Sequence, residues 1–508
     1  MVPDQSHAAG SADGSSARRD WLVTREIASA PGSPNLRTGA QYKESLRDGR
    51  CVIIGGREVK DVTEEPSLRR GIETLAGFFD AQLDPATRDI TTSIDPETGE
   101  RIATAWLVPR TKEDLRRHAA MVKFSTFHTL GVFGRPPDYG PVKAIGFLAF
   151  RHIVDKEDPG VAEKMQHFVR VGQRHNLVSA DVIIDLQVNR KLPIPQQQGR
   201  LRVVEERKDG VVLCGAKGGN SVFAQGNIGT ISMPPPNPTM PEECTIWSVV
   251  PADAPGLRMI SREPVTTGAE NAEDHPLDSR GEESDSLLVF DRVFVPRQYL
   301  FSYKNKAIAE VYNLVGRFAF WKIATRLSHR AEIFAGAAQM IVNALGTDHV
   351  PAVRALVADV IAYAATLRAC MTAAIETAEP TESGIMAPNH AYVSAGRLHS
   401  IVLYPKIMQM LRELSGQGLI SRVPRSTWER QDVGAMFDEF LPGYQATARD
   451  KNRLFNLIWD MTCSAAAMRL ALFENINAST ATNLREDLYR TYDRREGMDL
   501  IRRIAGMA

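Results

Sequence analysis

The sequence predicts an α+β protein in which a helical region, a β-rich middle and a second helical region follow one another. Three observations support this order. Apolar residues recur with mostly helical spacing from Thr38 to Arg135 and again beyond Ala307, whereas β-rich runs alternate with Gly, Pro and Asp turns from Leu177 to Pro296. We therefore expect a disordered tail over 1–35, a mainly helical domain over 36–176, a middle β-barrel or sheet domain over 177–300, and a helical bundle over 301–508.

The first helical region carries recognisable start and turn signals. Thr38 and Thr111 each precede a helical pattern and are suitable N-caps. The segment Arg50–Val62 is predicted to form a β-hairpin that turns at Gly55-Gly56. Further helices are expected between Val142 and Asn176. The region should therefore be helical apart from one hairpin.

The middle region contains runs of β-branched and apolar residues that predict strands. The last run is interrupted by Asp291-Arg292 and ends at Pro296, which has no N–H to donate to a sheet. Residues 233–238 form a proline-rich connector. The predicted strands are Val182–Leu186, Val203–Glu206, Val211–Cys214, Thr245–Val250 and Leu287–Val295.

Composition excludes several classes of protein. Among 508 residues, 61 Lys and Arg balance 61 Asp and Glu, so no overall charge favours nucleic acid or an acidic membrane. No apolar run approaches the roughly 18 residues that cross a bilayer. The N-terminus lacks the apolar centre of a secretory signal. The five cysteines and eleven histidines show no metal-binding spacing. A cytoplasmic, reduced protein without a metal site is expected.

Two stretches are distinctive: Gly134-Arg135-Pro136-Pro137-Asp138-Tyr139, and the polar loop and strand from Asp274 to Pro296. Both resemble stretches of the 4-hydroxyphenylacetate 3-monooxygenase family, whose members have the acyl-CoA dehydrogenase architecture. Gly215–Lys217 and Ile260–Arg262 are also similar. The resemblance extends from about Thr38 to Asn477 and so covers most of the chain.

The resemblance implies a two-component, FADH2-dependent monooxygenase. Reduced FAD, supplied by a separate NAD(P)H:flavin reductase, would react with dioxygen, and the C4a-hydroperoxide would pass oxygen to a phenolic or heteroaromatic small molecule. A homotetramer or dimer of dimers built on the C-terminal helices is also implied. The sequence independently supports a separate reductase, because no Gly-x-Gly-x-x-Gly motif follows a strand to bind a nicotinamide cofactor.

Arg135 and Tyr139 are the first candidate catalytic residues. They bracket two prolines, which restrict the turn and reduce the entropy lost on binding. In the family these positions contact the substrate hydroxyl, and an Arg donor and a Tyr hydroxyl aimed at one oxygen would stabilise a phenolate. The alternative is an ordinary turn in which Arg135 pairs with a carboxylate and Tyr139 packs.

Asp181 is the third candidate and a departure from the family. It falls where the phenol hydroxylases have a histidine that acts on the substrate hydroxyl. A carboxylate beside a phenolate would be repulsive unless burial raised its pKa. It would suit an N–H or cationic nitrogen, as in an aminophenol or nitrogen heterocycle. The alternatives are an ion pair with a base such as Arg190, or an alignment displaced by one residue.

The family architecture implies three regions of flavin contact and one charged residue. Ser415–Gly418 is a helix-terminal turn whose backbone would approach a phosphate, although such a turn is commonly only a C-cap. Arg469 would pair with the pyrophosphate, although a solvated charge is the commoner role. The candidate cofactor-binding residues are Gln187, Asn189, Arg190, Asn220, Ser221, Gly416 and Arg469.

Other interpretations remain at this point. The segment from Thr266 to His275 is either a lid or a long surface loop. A related dehydratase with an iron–sulfur cluster is excluded, because no cysteine lies between Cys51 and Cys214 to ligate it. An acyl-CoA dehydrogenase-like flavoenzyme and a catalytically inactive scaffold with the flavin fold are the remaining alternatives.

Overall fold

The structure is a computed structural model that describes residues 20–135, 137, 139–232, 239–266, 271–305, 308–476 and 479–507. The proline-rich connector at 233–238, most of the tail and the centre of the predicted lid at 267–270 lie outside these residues. Part of the segment 20–35, which the sequence places in a disordered tail, is instead packed: Leu22 and Val23 are buried, and Trp21 stacks on Tyr299. The predicted disordered tail therefore extended too far along the chain.

The N-terminal region is mainly helical, as predicted. Thr38 and Thr111 both form capping boxes, with Gln41 and Asp114. The hairpin turns at Gly55 and Gly56, both with positive φ. The helices are α1 (Gly39–Ser45), α2 (Pro66–Ala81), α3 (Arg88–Thr91), α4 (Lys112–His128), α5 (Tyr139–Ala149), α6 (Arg151–Glu157) and α7 (Val161–His175); the strands are β1 (Cys51–Ile54), β2 (Arg57–Glu58), β3 (Thr92–Ile94) and β4 (Arg101–Ala103).

The middle region forms two open sheets, and the alternative of a barrel is wrong because neither sheet closes in the described residues. The strands are β5 (Ser179–Val182), β6 (Arg202–Glu206), β7 (Gly210–Ser221), β8 (Ile228–Ile231), β9 (Ile246–Pro251), β10 (Leu257–Ser261), β11 (Asp285–Pro296) and β12 (Leu300–Tyr303). One sheet has the order β2-β1-β10-β11-β7-β6 and includes the N-terminal hairpin; the other has the order β12-β9-β8-β5.

Most predicted strands are present with shifted ends, but β5 ends at Val182, where the predicted strand begins. Strands β8, β10 and β12 were not predicted. These strands are only four or five residues long, too short for a clear periodicity. The break at Asp291-Arg292 in β11 is a bulge, where Arg292 has a φ of 58°. Since β12 belongs to a sheet, the β region extends to Tyr303 instead of 300.

The C-terminal region is a helical bundle. Leu454, Ile458 and Met461 face the core on one side of α13. Its elements are α8 (Ile308–Leu345), α9 (Pro351–Glu376), β13 (Glu379–Pro380), β14 (Met386–Ala387), α10 (His390–Ser415), α11 (Arg425–Trp428), α12 (Gly434–Phe440), α13 (Ala448–Thr462), α14 (Ala465–Ile476), α15 (Ala481–Thr491) and α16 (Arg495–Ala505).

Helix α9 is long and apolar enough to cross a membrane by length and composition, which the sequence analysis missed. One third of its most apolar window is buried inside this chain, where α9 packs between α8 and α10. Core helices of globular bundles meet the same criteria, so one such helix is weak evidence for a membrane span.

Candidate functional site

A cavity of about 670 Å³ lies between α5, the two sheets, α8 and α15. The volume falls within the range of roughly 300–1,000 Å³ found for small-molecule sites. Its wall combines apolar, cationic and acidic side chains. The lining residues are Arg135, Lys143, Asp181, Ile183, Ile184, Gly219, Ser221, Tyr312, Leu314, Gly316, Arg317, Ala319, Phe320, His390, Ser479, Thr480, Asn483, Leu484, Glu486, Asp487, Arg490 and Thr491.

Two of the three predicted catalytic residues, Arg135 and Asp181, lie in this wall. Asp181 is paired, but with Lys143 and not with Arg190, which is exposed. The Lys143 ammonium donates to Asp181 Oδ1 at 2.7 Å and to Ser232 Oγ at 3.2 Å. Both side chains are almost fully buried, with 2% and 8% exposure. Burial lowers the pKa of Lys143, and the Asp181 carboxylate opposes that shift.

A close approach of α5 to β5 allows this pair to form. Gly140 lies against Ser179, and a Cβ at position 140 would come within 2.4 Å of the Ser179 side chain and carbonyl oxygen. Any larger residue would therefore push the helix away from the strand. Lys143 follows Gly140 by three residues and so lies on the same helix face, opposite Asp181.

The backbone of the Arg135 turn is held by a fully buried carboxylate. Gly134 and Arg135 both donate their N–H groups to Glu283 Oε1, at 2.7 and 2.6 Å. The Arg135 guanidinium lies 4.0 Å from the centre of the Phe473 ring, in cation–π contact. Glu283 belongs to the polar loop that precedes β11, so the two distinctive stretches of the sequence meet here.

Arg469 supports the same turn from α14. It lies 2.5 Å from Asp285 Oδ1 and 3.4 Å from Glu283 Oε2, and its side chain is 12% exposed. Burial would lower its pKa, but Asp285 and Glu283 outweigh burial and raise it. The alternative of a solvated charge is therefore wrong. The pyrophosphate contact stays a prediction, since the described contacts of Arg469 are to these carboxylates.

The other predicted flavin residues differ in position. Ser221 lines the cavity, and Asn220 beside it is buried with an Oδ1 atom that has no partner within the described residues. Gln187, Asn189 and Arg190 are exposed on the loop that continues from the cavity wall at Ile184. These flavin contacts stay predictions.

Gly416 and Tyr139 both lie at helix ends. Gly416 is exposed and caps α10 with a φ of 54°, which agrees with the alternative that this turn is a C-cap. Its contact with a phosphate stays a prediction. The backbone of Tyr139 begins α5. The Tyr139 side chain, like residues 136 and 138, lies outside the described part of the structure, so its predicted contact with substrate stays a prediction.

Helix α15 closes one side of the cavity. Its Asp487 carboxylate lies 2.6 Å from His390 Nε2 and accepts a hydrogen bond from Ser394 Oγ at 2.9 Å. Burial lowers the pKa of Arg317, and Asp487 opposes this shift. The helix is thus fastened to α10 by one carboxylate.

Sequence spacing predicts no metal site, yet the fold brings together potential ligand atoms of His275, Asp278 and Asp460, all within 4.8 Å of one another. Asp460 lies far along the chain from the other two, so no spacing could have revealed the group. Asp460 Oδ2 accepts the N–H of Leu277 at 3.0 Å. Burial, reinforced by Asp278, raises the pKa of Asp460 to about 6. The cluster fastens the loop before β11 to α13.

Lys143 lines the cavity beside the predicted residues but was not itself predicted from the sequence. A signal was present: it follows Tyr139 by four residues, so the two positions share one face of a helix. A lone lysine in an apolar helix attracts little notice, because lysines are usually exposed. Its partner comes from a strand 38 residues away, and that pairing required the fold.

Comparison with known proteins identifies the family. Family profiles described as the N- and C-terminal parts of 4-hydroxyphenylacetate 3-hydroxylase match residues 38–302 and 306–506. The chain is 29% identical over 461 residues to the 4-nitrophenol 4-monooxygenase/4-nitrocatechol 2-monooxygenase oxygenase component of Rhodococcus opacus, covering 87% of this chain and 86% of that protein. It is 29% identical over 474 residues to the 4-hydroxyphenylacetate 3-monooxygenase oxygenase component of Thermus thermophilus, covering 92% and 96%.

Solved structures of similar proteins agree with the family match. The oxygenase component HpaB of 4-hydroxyphenylacetate 3-monooxygenase, complexed with FAD and 4-hydroxyphenylacetate, superposes with a TM-score of 0.86 at 28% identity, covering 92% of this chain and 98% of that one. An archaeal 4-hydroxybutyryl-CoA dehydratase has a TM-score of 0.84 at 19% identity and covers 93% and 95%, which shows a shared fold alone. From the profiles that span most of its length, the chain belongs to the 4-hydroxyphenylacetate 3-hydroxylase family of aromatic monooxygenases.

Proposed function

We propose that this protein is the oxygenase component of a two-component monooxygenase and that its 670 Å³ cavity holds reduced FAD beside a small phenolic ring. The observation that carries this proposal is the convergence of Arg135, Lys143 and Asp181 on that cavity. The relatives named above as oxygenase components act on nitrophenol and hydroxyphenylacetate, and the HpaB structure contains FAD. The fold, the family and the cavity thus support one activity.

The lining residues fit a flavin. Ile183, Leu314 and Phe320 provide an apolar surface for a flat ring system, and Arg317 and Arg490 provide cations for phosphates. Asn220 Oδ1 is a buried acceptor without a partner in the described residues, next to the cavity wall at Ser221. When bound, reduced FAD supplies the electrons that activate dioxygen for transfer of one oxygen atom to the ring.

The chain's own residues would bind, orient and shield the substrate. The backbone N–H of Arg135 is bound by Glu283 and its guanidinium packs on Phe473, so the guanidinium would donate to a phenolic oxygen with little loss of entropy. The apolar part of the wall would exclude water from the reacting atoms. An oxygen bearing negative charge makes its ring more electron-rich, which favours attack by an electrophilic oxygen.

A separate reductase is part of the proposal, because the sequence lacks a nicotinamide-binding fingerprint. A cytoplasmic homotetramer or dimer of dimers is also proposed. Large apolar side chains are exposed on the C-terminal helices, as expected for an interface between subunits. These residues are Ile361, Val402, Met468, Leu472, Ile501 and Ile504. Light scattering on the purified protein measures the assembly directly.

The decisive experiment is an aerobic turnover assay with chemically reduced FAD and no reductase. Phenols, aminophenols and nitrogen heterocycles are compared, and products are identified by mass. We expect one oxygen atom to be added to phenols by the wild type, and at least a ten-fold loss in Arg135→Ala. The exposed-surface variant Arg430→Ala is the matched control. Absence of flavin binding and of any hydroxylated product would contradict the proposal.

A further inference from the structure

The Lys143–Asp181 pair changes the electrostatics of the site. A lone carboxylate at position 181 would repel a phenolate, but here its charge is matched by an ammonium 2.7 Å away. Lys143 also lies 5.5 Å from the centre of the Tyr312 ring, whose residue lines the same cavity. Buried charges are retained in proteins when they are paired and hydrogen-bonded. The pair is therefore a neutral unit with an ammonium near the cavity.

Arg135 adds a second cation to this wall. Arg135 and Lys143 lie close enough that Arg135 contributes to lowering the pKa of Lys143. The neighbouring Lys217 is held by Asp185 at 2.7 Å. The group formed by Arg135, Lys143 and Asp181 thus has two positive charges and one negative charge. A phenolate oxygen in the cavity would be attracted by both cations.

We propose that Lys143 is a specificity-determining residue: with Asp181 as its fixed counter-ion, it joins Arg135 in binding the substrate's phenolic oxygen as phenolate. This inference rests on the proposed function and names its substrate class. A ring with a cationic nitrogen would meet two cations and is disfavoured. This replaces the expectation that a carboxylate at position 181 selects such nitrogen compounds.

The proton balance of binding is simple. Lys143 is paired as an ammonium, so it donates a hydrogen bond and does not take up the substrate proton. A phenol that is neutral in solution releases one proton to the solvent when it binds as phenolate. No bond to carbon forms or breaks at this stage. Binding of a neutral phenol should therefore acidify a weakly buffered solution by one proton per site.

The test uses 4-nitrophenol, whose phenolate form absorbs in the visible and whose neutral form does not. The titration is done without flavin at a pH about one unit below the pKa of the free phenol, where about nine-tenths of it is neutral. We expect the wild type to increase the phenolate band as it binds. Lys143→Met should lose the band and bind about 10- to 100-fold more weakly, because a charge-assisted hydrogen bond is lost. Lys143→Arg should keep the band.

Two further variants make the result interpretable. Lys322→Met also removes a buried lysine, but one bound to His118 away from the cavity wall, and should retain the band. The double variant Lys143→Met/Asp181→Asn removes both charges, so its loss of the band cannot be attributed to an unpaired buried carboxylate. Circular dichroism checks that each variant is folded.

Two outcomes would overturn the inference: the wild type binds 4-nitrophenol in its neutral form, or folded Lys143→Met keeps the phenolate band with an affinity within about two-fold of the wild type. Either result can occur while the turnover assay still yields hydroxylated phenol, in which case the proposed function stands and this inference fails. If neither flavin nor phenols bind, the proposed function itself fails.

Discussion

At the scale of single residues, the site is built from charged side chains that neutralise one another in the interior. Asp181 gives the clearest case, because its side chain and that of its partner Lys143 are only 8% and 2% exposed. Removing one member of a buried ion pair leaves the other charge uncompensated, whereas removing both is far less costly.

We therefore expect Asp181→Asn to lower the free energy of unfolding by about 3 kcal/mol, and Lys143→Met/Asp181→Asn to recover most of that loss. Urea denaturation at pH 7 measures both. If the double variant instead loses the sum of the unfolding free energies lost by Asp181→Asn alone and by Lys143→Met alone, the two residues are not coupled.

The pH dependence of the Asp181→Asn variant follows from Lys143. Burial lowers the pKa of this lysine in the folded state, so between that pKa and 10.5 the unfolded chain binds more protons than the folded chain. Stability should then rise as the pH increases towards 10. The wild type, in which Asp181 opposes the shift, should show a smaller rise over the same range.

At the scale of elements, Gly140 sets the distance between α5 and β5. A Cβ there would lie 2.4 Å from Ser179, so Gly140→Ala should displace the helix and separate Lys143 from Asp181. We expect a loss of stability of about 1–3 kcal/mol together with weaker binding of 4-nitrophenol. Gly336→Ala is the matched control, because that helical glycine has open space around its Cβ position; equal effects of the two changes would contradict this role of Gly140.

Helix α14 is held by a second buried ionic group. Glu474 lies 2.5 Å from Arg326 Nη1 on α8, and its backbone carbonyl accepts a hydrogen bond from Arg397 on α10. Burial would raise the pKa of Glu474, but Arg326 and Arg330 outweigh it and lower the pKa to about 2. The helix carries Phe473 and Arg469, which support the Arg135 turn.

Glu474→Gln should therefore reduce the free energy of unfolding by about 3–5 kcal/mol at pH 7. The carboxylate contributes stability above its unfolded pKa of 4.5, and that contribution is lost as the pH falls from 4.5 towards 2. The difference between wild type and variant should shrink over that interval. Glu429→Gln, at an exposed pair, should change stability by less than about 0.5 kcal/mol.

Local signals predicted the elements better than they predicted the site. The Thr38 and Thr111 caps and the Gly55-Gly56 turn depend on neighbouring residues, so the sequence alone located them. The pairing of Lys143 with Asp181, and of the Arg135 turn with Glu283, joins residues 38 and 148 positions apart. Those contacts depend on how the helices pack on the sheets, which periodicity does not specify.

At the scale of the whole molecule, the cavity is assembled from all three regions of the chain. α5 and the Arg135 turn come from the first, β5 and β7 from the second, and α8 and α15 from the third. The site therefore exists only when these regions are packed together, and α15 is its most distant contribution. Leu484 is buried and Asp487 is bound to His390 and Ser394, which fixes this helix on α10.

Asp487→Asn should loosen α15 and admit water to the cavity. We expect at least a three-fold weaker affinity for reduced FAD and more hydrogen peroxide released per hydroxylated product, because water exclusion is lost. Hydrogen exchange should rise in α15. Asp499→Asn, at an exposed ion pair on α16, is the control. If the Asp487 variant changes neither the hydrogen exchange of α15 nor the hydrogen peroxide released per hydroxylated product, α15 is not part of the site.

The most direct measurement is a crystal structure of the protein soaked with FAD and 4-nitrophenol. We expect the isoalloxazine ring in the cavity between the sheets and α8, and the phenolic oxygen within hydrogen-bond distance of Arg135 and Lys143. A flavin bound elsewhere, or a phenolic oxygen turned away from both of these side chains, would contradict this expectation.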